Sequence, residues 1–188
     1  MITDDNTAGF AGGYGMNYGE IKNCDIANGP GVRVSLFVSG CTHHCEGCFN
    51  PMTWDFNYGS VFDEAAVNKV LSLLGPEYIC GLTLLGGEPL EYPNIKGLLP
   101  LLRKVKEKYP AKNIWCYTGY TFETDILGRM MNEYPEAAEF FSYIDVLVDG
   151  EFVLSEKDIS LTFRGSRNQR IIDLKRSLES GGTEILDI

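Results

Sequence analysis

Three cysteines stand within eight residues, Cys41-Thr42-His43-His44-Cys45-Glu46-Gly47-Cys48, directly after an apolar, strand-like run. Deprotonated sulfur is a soft ligand, and three thiolates in so short a loop suit an iron–sulfur cluster, zinc or copper(I). A structural zinc ion takes four ligands. A four-iron cluster held wholly by protein also takes four, usually all cysteine. A loop that offers three leaves one coordination position open for chemistry. Other assignments compete. His43 or His44 as the fourth ligand of a zinc knot would lie inside the first Cys–Cys interval, where a shared tetrahedral ion is sterically awkward. A nucleophilic Cys–His pair needs no trio of thiols. Zinc completed by distant Cys24, Cys80 or Cys116 stays open as an alternative, but the spacing favours a cluster with one exposed iron.

The elements that must hold this loop follow from periodicity. Val32, Val34, Leu36 and Val38 alternate with Arg33, Ser35, Phe37 and Ser39, a period of two that marks a strand ending at the cysteines. Asp63 opens a helix with Val67, Val70, Leu71 and Leu74 on its apolar face, and Gly75-Pro76 ends it. A second strand, Ile79 to Leu85, leads into Gly86-Gly87-Glu88-Pro89. A helix over 94–109 presents Leu98, Leu101, Leu102 and Val105, and Pro100 inside it predicts a kink or a later start. The third strand, Asn113 to Tyr117, reaches Thr118-Gly119-Tyr120. A third helix carries Ile126, Leu127, Met130 and Met131, the methionines reading as core filler. The fourth strand, Ile144 to Val148, ends at Asp149-Gly150.

Strand–helix alternation implies right-handed crossovers and a parallel sheet, so all four unusual motifs fall at one C-terminal edge. That edge is where α/β folds place their sites. The chain is too short for eight βα units, which take about 250 residues. The expected class is therefore α/β, an open partial (β/α) barrel with a mostly parallel sheet. Residues 1–15 carry Gly9, Gly12, Gly13 and Gly15 among few apolar groups and read as a flexible extension; residues 16–188 read as a single domain.

Cys41-x3-Cys45-x2-Cys48 followed by Phe49 resembles the signature of the radical S-adenosylmethionine (SAM) enzymes. More narrowly, Asn28-Gly29-Pro30-Gly31, Ser39-Gly40-Cys41 and Cys48-Phe49-Asn50 are similar to the activating proteins of the anaerobic ribonucleoside-triphosphate reductase, over roughly residues 17 to 173. The resemblance implies a radical SAM fold and a 4Fe–4S cluster on Cys41, Cys45 and Cys48, with SAM on the fourth iron. It also implies a SAM pocket formed by Gly47, Cys48, Phe49, Gly86, Gly87, Glu88, Thr118 and Asp149. In that pocket the two glycines admit the methionine part, Glu88 accepts from its ammonium group, and Phe49 lies beside the adenine. The implied partner is the reductase, which receives a glycyl radical, and the implied reductant is an external donor such as flavodoxin.

Each satellite motif also has a plainer reading. Gly86-Gly87-Glu88-Pro89 could be a tight turn, Phe49 a core residue, and Thr118 or Asp149 a cap or turn anchor. The segment 164–176 sets five basic residues against one acidic, either a solvated face or a docking surface for the SAM carboxylate, an acidic partner or a nucleotide. Cys24, Cys80 and Cys116 sit in apolar or strand contexts and read as buried structural thiols.

Composition narrows the function classes. At 188 residues the chain is one domain by size, and 44% hydrophobic residues supply a core. A net charge of −10 argues against broad binding to nucleic acid or anionic membranes. No apolar run approaches the roughly 18 residues of a membrane helix. The lack of a basic, apolar leader and the clustered cysteines point to a reducing cytoplasm. Alternatives within reach are another small radical SAM enzyme, such as a pyruvate formate-lyase activase or a small-molecule enzyme, and a zinc or electron-transfer module.

Overall fold

Three helical crossovers join four parallel strands, and antiparallel pairings extend the sheet at both ends. The computed structural model describes residues 13–188. Seven strands form one open sheet in the order β3-β1-β2-β4-β5-β6-β7. They are β1 (Gly13–Asp25), β2 (Val32–Val38), β3 (Ser60–Asp63), β4 (Ile79–Gly86), β5 (Asn113–Tyr117), β6 (Val146–Asp149) and β7 (Arg170–Asp173). The central strands β2, β4, β5 and β6 pair in parallel, whereas β1 and β7 run against their neighbours. The expected α/β class with a mostly parallel, unclosed sheet is therefore present.

Period two in the strands reports two different buried surfaces rather than an inside and an outside. Val34, Leu36 and Val38 of β2, with Leu82 and Leu84 of β4, join the main core under the helices. Arg33 and Ser35 on the opposite face of β2 are also fully buried. There Trp115, Val146, Val148 and Ile171 form a smaller apolar cluster with Phe163 against it. The Arg33 guanidinium lies 5.5 Å from the Trp115 ring centre and donates to Thr83 Oγ1 at 2.7 Å and the Leu82 carbonyl at 2.8 Å.

Helix α1 (Glu64–Leu74) begins where Asp63 accepts from the Ala66 N–H at 2.9 Å, a cap worth about 0.5–2 kcal/mol. Helix α2 (Tyr92–Lys108) starts two residues before the expected Asn94, because Pro93 fits the first turn, where no N–H partner is needed. It also passes through Pro100 without ending. Burial of Leu98, Leu99, Leu101 and Leu102 in the core outweighs the lost hydrogen bond. The expected third helix is a π-helical stretch, Phe122–Met130, running into α3 (Met131–Glu133). Met130 is fully buried in the core and Met131 packs against it. Two short helices, α4 (Ala137–Tyr143) and α5 (Leu174–Ser180), complete the layer.

Two expectations need correction. Gly13, Tyr14 and Gly15, placed in the extension, already belong to β1, with Gly13 opposite Asp63; residues 1–12 lie outside the described residues. The glycine-rich sequence hid this strand because its order comes from pairing on both sides. Cys24 and Cys80 are exposed, not buried; only Cys116 of that trio is enclosed. In 164–176, four of the five basic residues pair with carboxylates, Arg167 with Asp158, Arg170 with Glu123 and Asp149, Lys175 with Asp145, and Arg176 with Glu184, while Arg167, Lys175 and Arg176 stay largely exposed, as on a solvated face.

Candidate functional site

All four motif loops leave C-terminal strand ends and meet around one cavity of about 400 Å³, within the size range of small-molecule sites. Cys41, Cys45 and Cys48 all line it. Their loop is fastened at its base by backbone pairs: Ser39 N–H to the Asn17 carbonyl at 3.0 Å, Gly40 N–H to Thr53 at 2.8 Å, and Cys41 N–H to Trp54 at 3.2 Å. Gly47, at φ +74°, turns the chain between the second and third thiols.

Burial pushes the Cys41 thiol up to about 12 and the Cys45 thiol up to about 11. Without a cation both stay protonated, so a bound metal centre must displace those protons and supply the compensating charge. Among the described residues no three His, Cys, Asp or Glu side chains converge on a single ion position. His43 stands in the cavity wall against Tyr120, at 4.4 Å between ring centres, and His44 packs on Trp54 at 4.7 Å.

Gly86 and Gly87 are required by the cysteine loop itself. Gly86 has φ +110°, and a Cβ there would stand 2.8 Å from the backbone of Phe37 and Val38. A Cβ on Gly87 would come within 2.6 Å of the Gly40 carbonyl oxygen. The end of β4 thus lies directly against the base of the thiol loop, with Gly87 N–H on the Val38 carbonyl and Glu88 N–H on Gly40, both at 2.8 Å. The motif is more than a turn.

Glu88 is almost completely buried and ties three loops together. One carboxylate oxygen accepts from Leu90 N–H at 2.8 Å, the other from Gly119 N–H at 2.8 Å. The second oxygen also lies 3.2 Å from His43 Nε2. That nitrogen has no aligned hydrogen-bond acceptor, so the contact is electrostatic, and the Glu88 carboxylate raises the His43 pKa against the effect of burial. Asn94, at the start of α2, bolts the arrangement down, donating to the Ser39 carbonyl at 3.0 Å and to Glu88 at 2.8 Å.

Of the pocket residues implied by resemblance, Cys48, Phe49, Gly86, Gly87, Glu88 and Thr118 line the cavity, and Gly47 and Asp149 do not. Phe49 is 64% exposed, so it is not core; it packs on Phe152 at 5.2 Å, with Lys157 Nζ 5.2 Å above its ring. Asp149 is fully buried behind the wall, accepting from Phe122 N–H at 2.9 Å and from Arg170. Its hydrogen bonds tie the end of β6 to the start of the 122–130 stretch and to β7.

Several wall residues carry no motif in the sequence. Phe37, Leu85 and Tyr117 are the last residues of their strands on the face away from the helices, and all three line the cavity. Period two, counted back from the motif loops, identifies them. Phe152, Leu161, Phe163 and Arg164 close the remaining side from the segment after β6, where no periodic signal exists. Two wall residues, Tyr117 and Arg164, each bury a polar atom without a partner among the described residues. A cavity with free thiols at one end and orphaned donors on its wall fits a polar ligand beside a metal centre.

Residues 27–172 match the protein family described as a 4Fe-4S single cluster domain. The chain is similar to the anaerobic ribonucleoside-triphosphate reductase-activating protein of Haemophilus influenzae, 43% identical over 159 residues, covering 83% of this chain and 97% of that one. Its counterpart in Enterobacteria phage T4 is 44% identical over 158 residues, covering 83% and 93%. The Escherichia coli K12 protein of that name is 40% identical over 162 residues, covering 85% of this chain and all of the relative.

Proposed function

The chain belongs to the family of anaerobic ribonucleoside-triphosphate reductase-activating proteins, and from that premise we propose that it activates such a reductase by generating a glycyl radical on it. The observation that carries this reading is the placement of Cys41, Cys45 and Cys48 around one cavity whose wall also holds unpaired polar atoms of Tyr117 and Arg164. Those three thiolates would hold a 4Fe–4S cluster with one iron open, and the rest of the cavity would hold SAM. When bound, the two supply an electron and a carbon-centred radical that takes a hydrogen atom from the partner's glycine. An external one-electron donor such as flavodoxin would supply the reductant in the cytoplasm. No helix among the described residues is long and apolar enough to cross a membrane.

What the protein itself contributes is position. Gly86 and Gly87 let the end of β4 approach the thiol loop, and Glu88 and Asn94 keep it there. Thr118 and Tyr117 present polar groups from the end of β5, and Phe49 and Phe152 form an apolar, water-excluding wall toward the mouth. The helix-free face of the sheet, read with the family, is the inner wall of a partial (β/α) barrel of the radical SAM type. Gly47 and Asp149 act from behind the wall, one turning the thiol loop and the other fastening the segment after β6 through Arg170.

The deciding experiment is anaerobic reconstitution followed by electron paramagnetic resonance with and without SAM, then with the reductase and a reductant. The expected result is a cluster signal that changes on SAM addition and a glycine-centred doublet on the reductase. That doublet collapses when the glycine α-position is deuterated. Rapid SAM cleavage driven by a small molecule, with no radical on any protein, would sink the proposal.

A further inference from the structure

The segment after β6 is a strap that folds back on itself beside the cavity. Arg167 N–H donates to the Glu156 carbonyl at 3.0 Å, Asp158 N–H to Gly165 at 3.2 Å, and Lys157 pairs antiparallel with Ser166. Gln169 fastens its return, accepting from Gly165 N–H at 2.8 Å and donating to the Gly150 carbonyl at 2.9 Å. At the tip, Asp158 accepts from both the N–H and the hydroxyl of Ser160, at 2.9 and 2.7 Å. Local turn chemistry therefore accounts for Asp158 and Ser160.

Turn chemistry does not account for Ile159. It lies between those two residues and is 95% exposed. Leu161, in the same turn, lines the cavity, so the tip stands at the cavity's edge. Next along the strap, Leu154 is 43% exposed and lies against Gly47 of the thiol loop; Phe49 of that loop is 64% exposed. A single exposed apolar side chain is ordinary. Three on adjoining segments at one cavity mouth form a patch of the kind that marks an interaction surface.

Charge narrows the occupant. Lys157 and Arg164 have no carboxylate partner among the described residues, in a chain of net charge −10. A second copy of so acidic a chain is a poor match for long-range approach. A polypeptide whose α-carbon must reach the cavity has to cross this rim, and apolar side chains with neutral or acidic flanks suit it. We propose that the strap tip at Ile159, with Leu154 and Phe49, is the docking surface for the glycine-bearing segment of the reductase. This rests on the activase reading above.

The test uses the full chain with its cluster reconstituted and the purified reductase. Ile159→Asp changes an exposed turn position that does not line the cavity, and Ile159→Leu is its conservative control. The expected result for Ile159→Asp is at least ten-fold weaker binding to the reductase in sedimentation or interferometry. Its glycyl radical yield falls at low reductase concentration and recovers at high. Iron content and SAM affinity stay at the wild-type level, and Ile159→Leu behaves as wild type. Unchanged reductase affinity for both Ile159→Asp and the Leu154→Asp/Ile159→Asp double variant overturns the assignment. A change confined to self-association of the chain also overturns it, assigning the patch to contacts between copies. Failure of the activase reading is separate: the wild type itself would then place no radical on the reductase.

Discussion

The two ends of the parallel strands handle buried polar groups in opposite ways. At the N-terminal end the charged groups are all paired, and Asn113 Oδ1 alone is left over among the described residues. Asp25 accepts from Ser35, Asn28 and the Ala27 N–H, Arg33 is spent on Thr83 and backbone carbonyls, and Asp145 gathers Lys106, Lys175 and the Ile114 N–H. At the C-terminal end three thiols are free, and Tyr117 and Arg164 each keep a buried atom unmatched. Satisfied networks rigidify a fold, whereas unsatisfied ones have a ligand to wait for. One end is a clamp and the other a receptor.

The contrast is broken most severely through the thiols. Cys41→Ser, Cys45→Ser and Cys48→Ser should each abolish a stable four-iron cluster, while Cys24→Ser, Cys80→Ser and Cys116→Ser retain it; iron and sulfide analysis of the six proteins decides. Iron loss in the second group would reveal a fourth protein ligand.

Arg33→Leu attacks the clamp. It leaves the Leu82 carbonyl without its donor and removes the cation over Trp115, and should lower stability by about 2–4 kcal/mol in urea unfolding. Iron content after reconstitution should stay near that of the wild type, since Arg33 itself does not line the cavity. Equal loss of both would show that the two ends are not separable.

Glu88→Ala sharpens the receptor end. Loss of charge-assisted hydrogen bonds worth about 1.5–3 kcal/mol should weaken SAM binding roughly ten- to a hundred-fold in calorimetry, with the cluster retained. Part of this effect is indirect. Glu88 already holds the Leu90 and Gly119 N–H groups, so its removal loosens two loops of the cavity wall as well as taking away an acceptor for the ligand.

The smallest effect is a pH dependence at the clamp. Burial raises the Asp145 pKa, but Lys106, Lys175 and the Ile114 N–H outweigh it, and the carboxyl titrates below its ordinary value. Its stabilisation is therefore complete above the unfolded-state pKa near 3.9 and is lost as pH falls through the folded-state value. Asp145→Asn should cost about 1.5 kcal/mol at pH 7, a difference that shrinks in acid; a gap independent of pH would contradict the ion-pair account.

The receptor end was more legible in the sequence than the clamp. Cysteine spacing and Gly86-Gly87-Glu88 are local signals, and each follows a strand whose alternation is plain. Glu88's bonds to Leu90 and Gly119 were not legible, because Gly119 is a neighbour only through the β4–β5 pairing. Cys24 and Cys80 misled for the same kind of reason. An apolar neighbourhood in sequence does not say whether a residue ends beneath a helix or at a bare strand edge. β7 gave no signal at four residues, and the ion pairs of the basic segment around it gave none either, because their carboxylate partners lie far away in the chain.

The thiol loop has a final consequence, one of order in time. It leaves β2 after Val38 and returns to β3 at Ser60, and both strands pair with Tyr18 of β1. The entropy of closing that loop is met by three strands zipping together, before any iron arrives. Small zinc domains differ, since there the metal's binding energy is the folding energy and a chelator unfolds the chain. With the strands pairing on their own, maturation should be a late step on a finished frame. Stripping the metal should leave the sheet's amide protons as slow to exchange as before, with only the stretch from Thr42 to Phe49 quickened, and reloading should need no refolding.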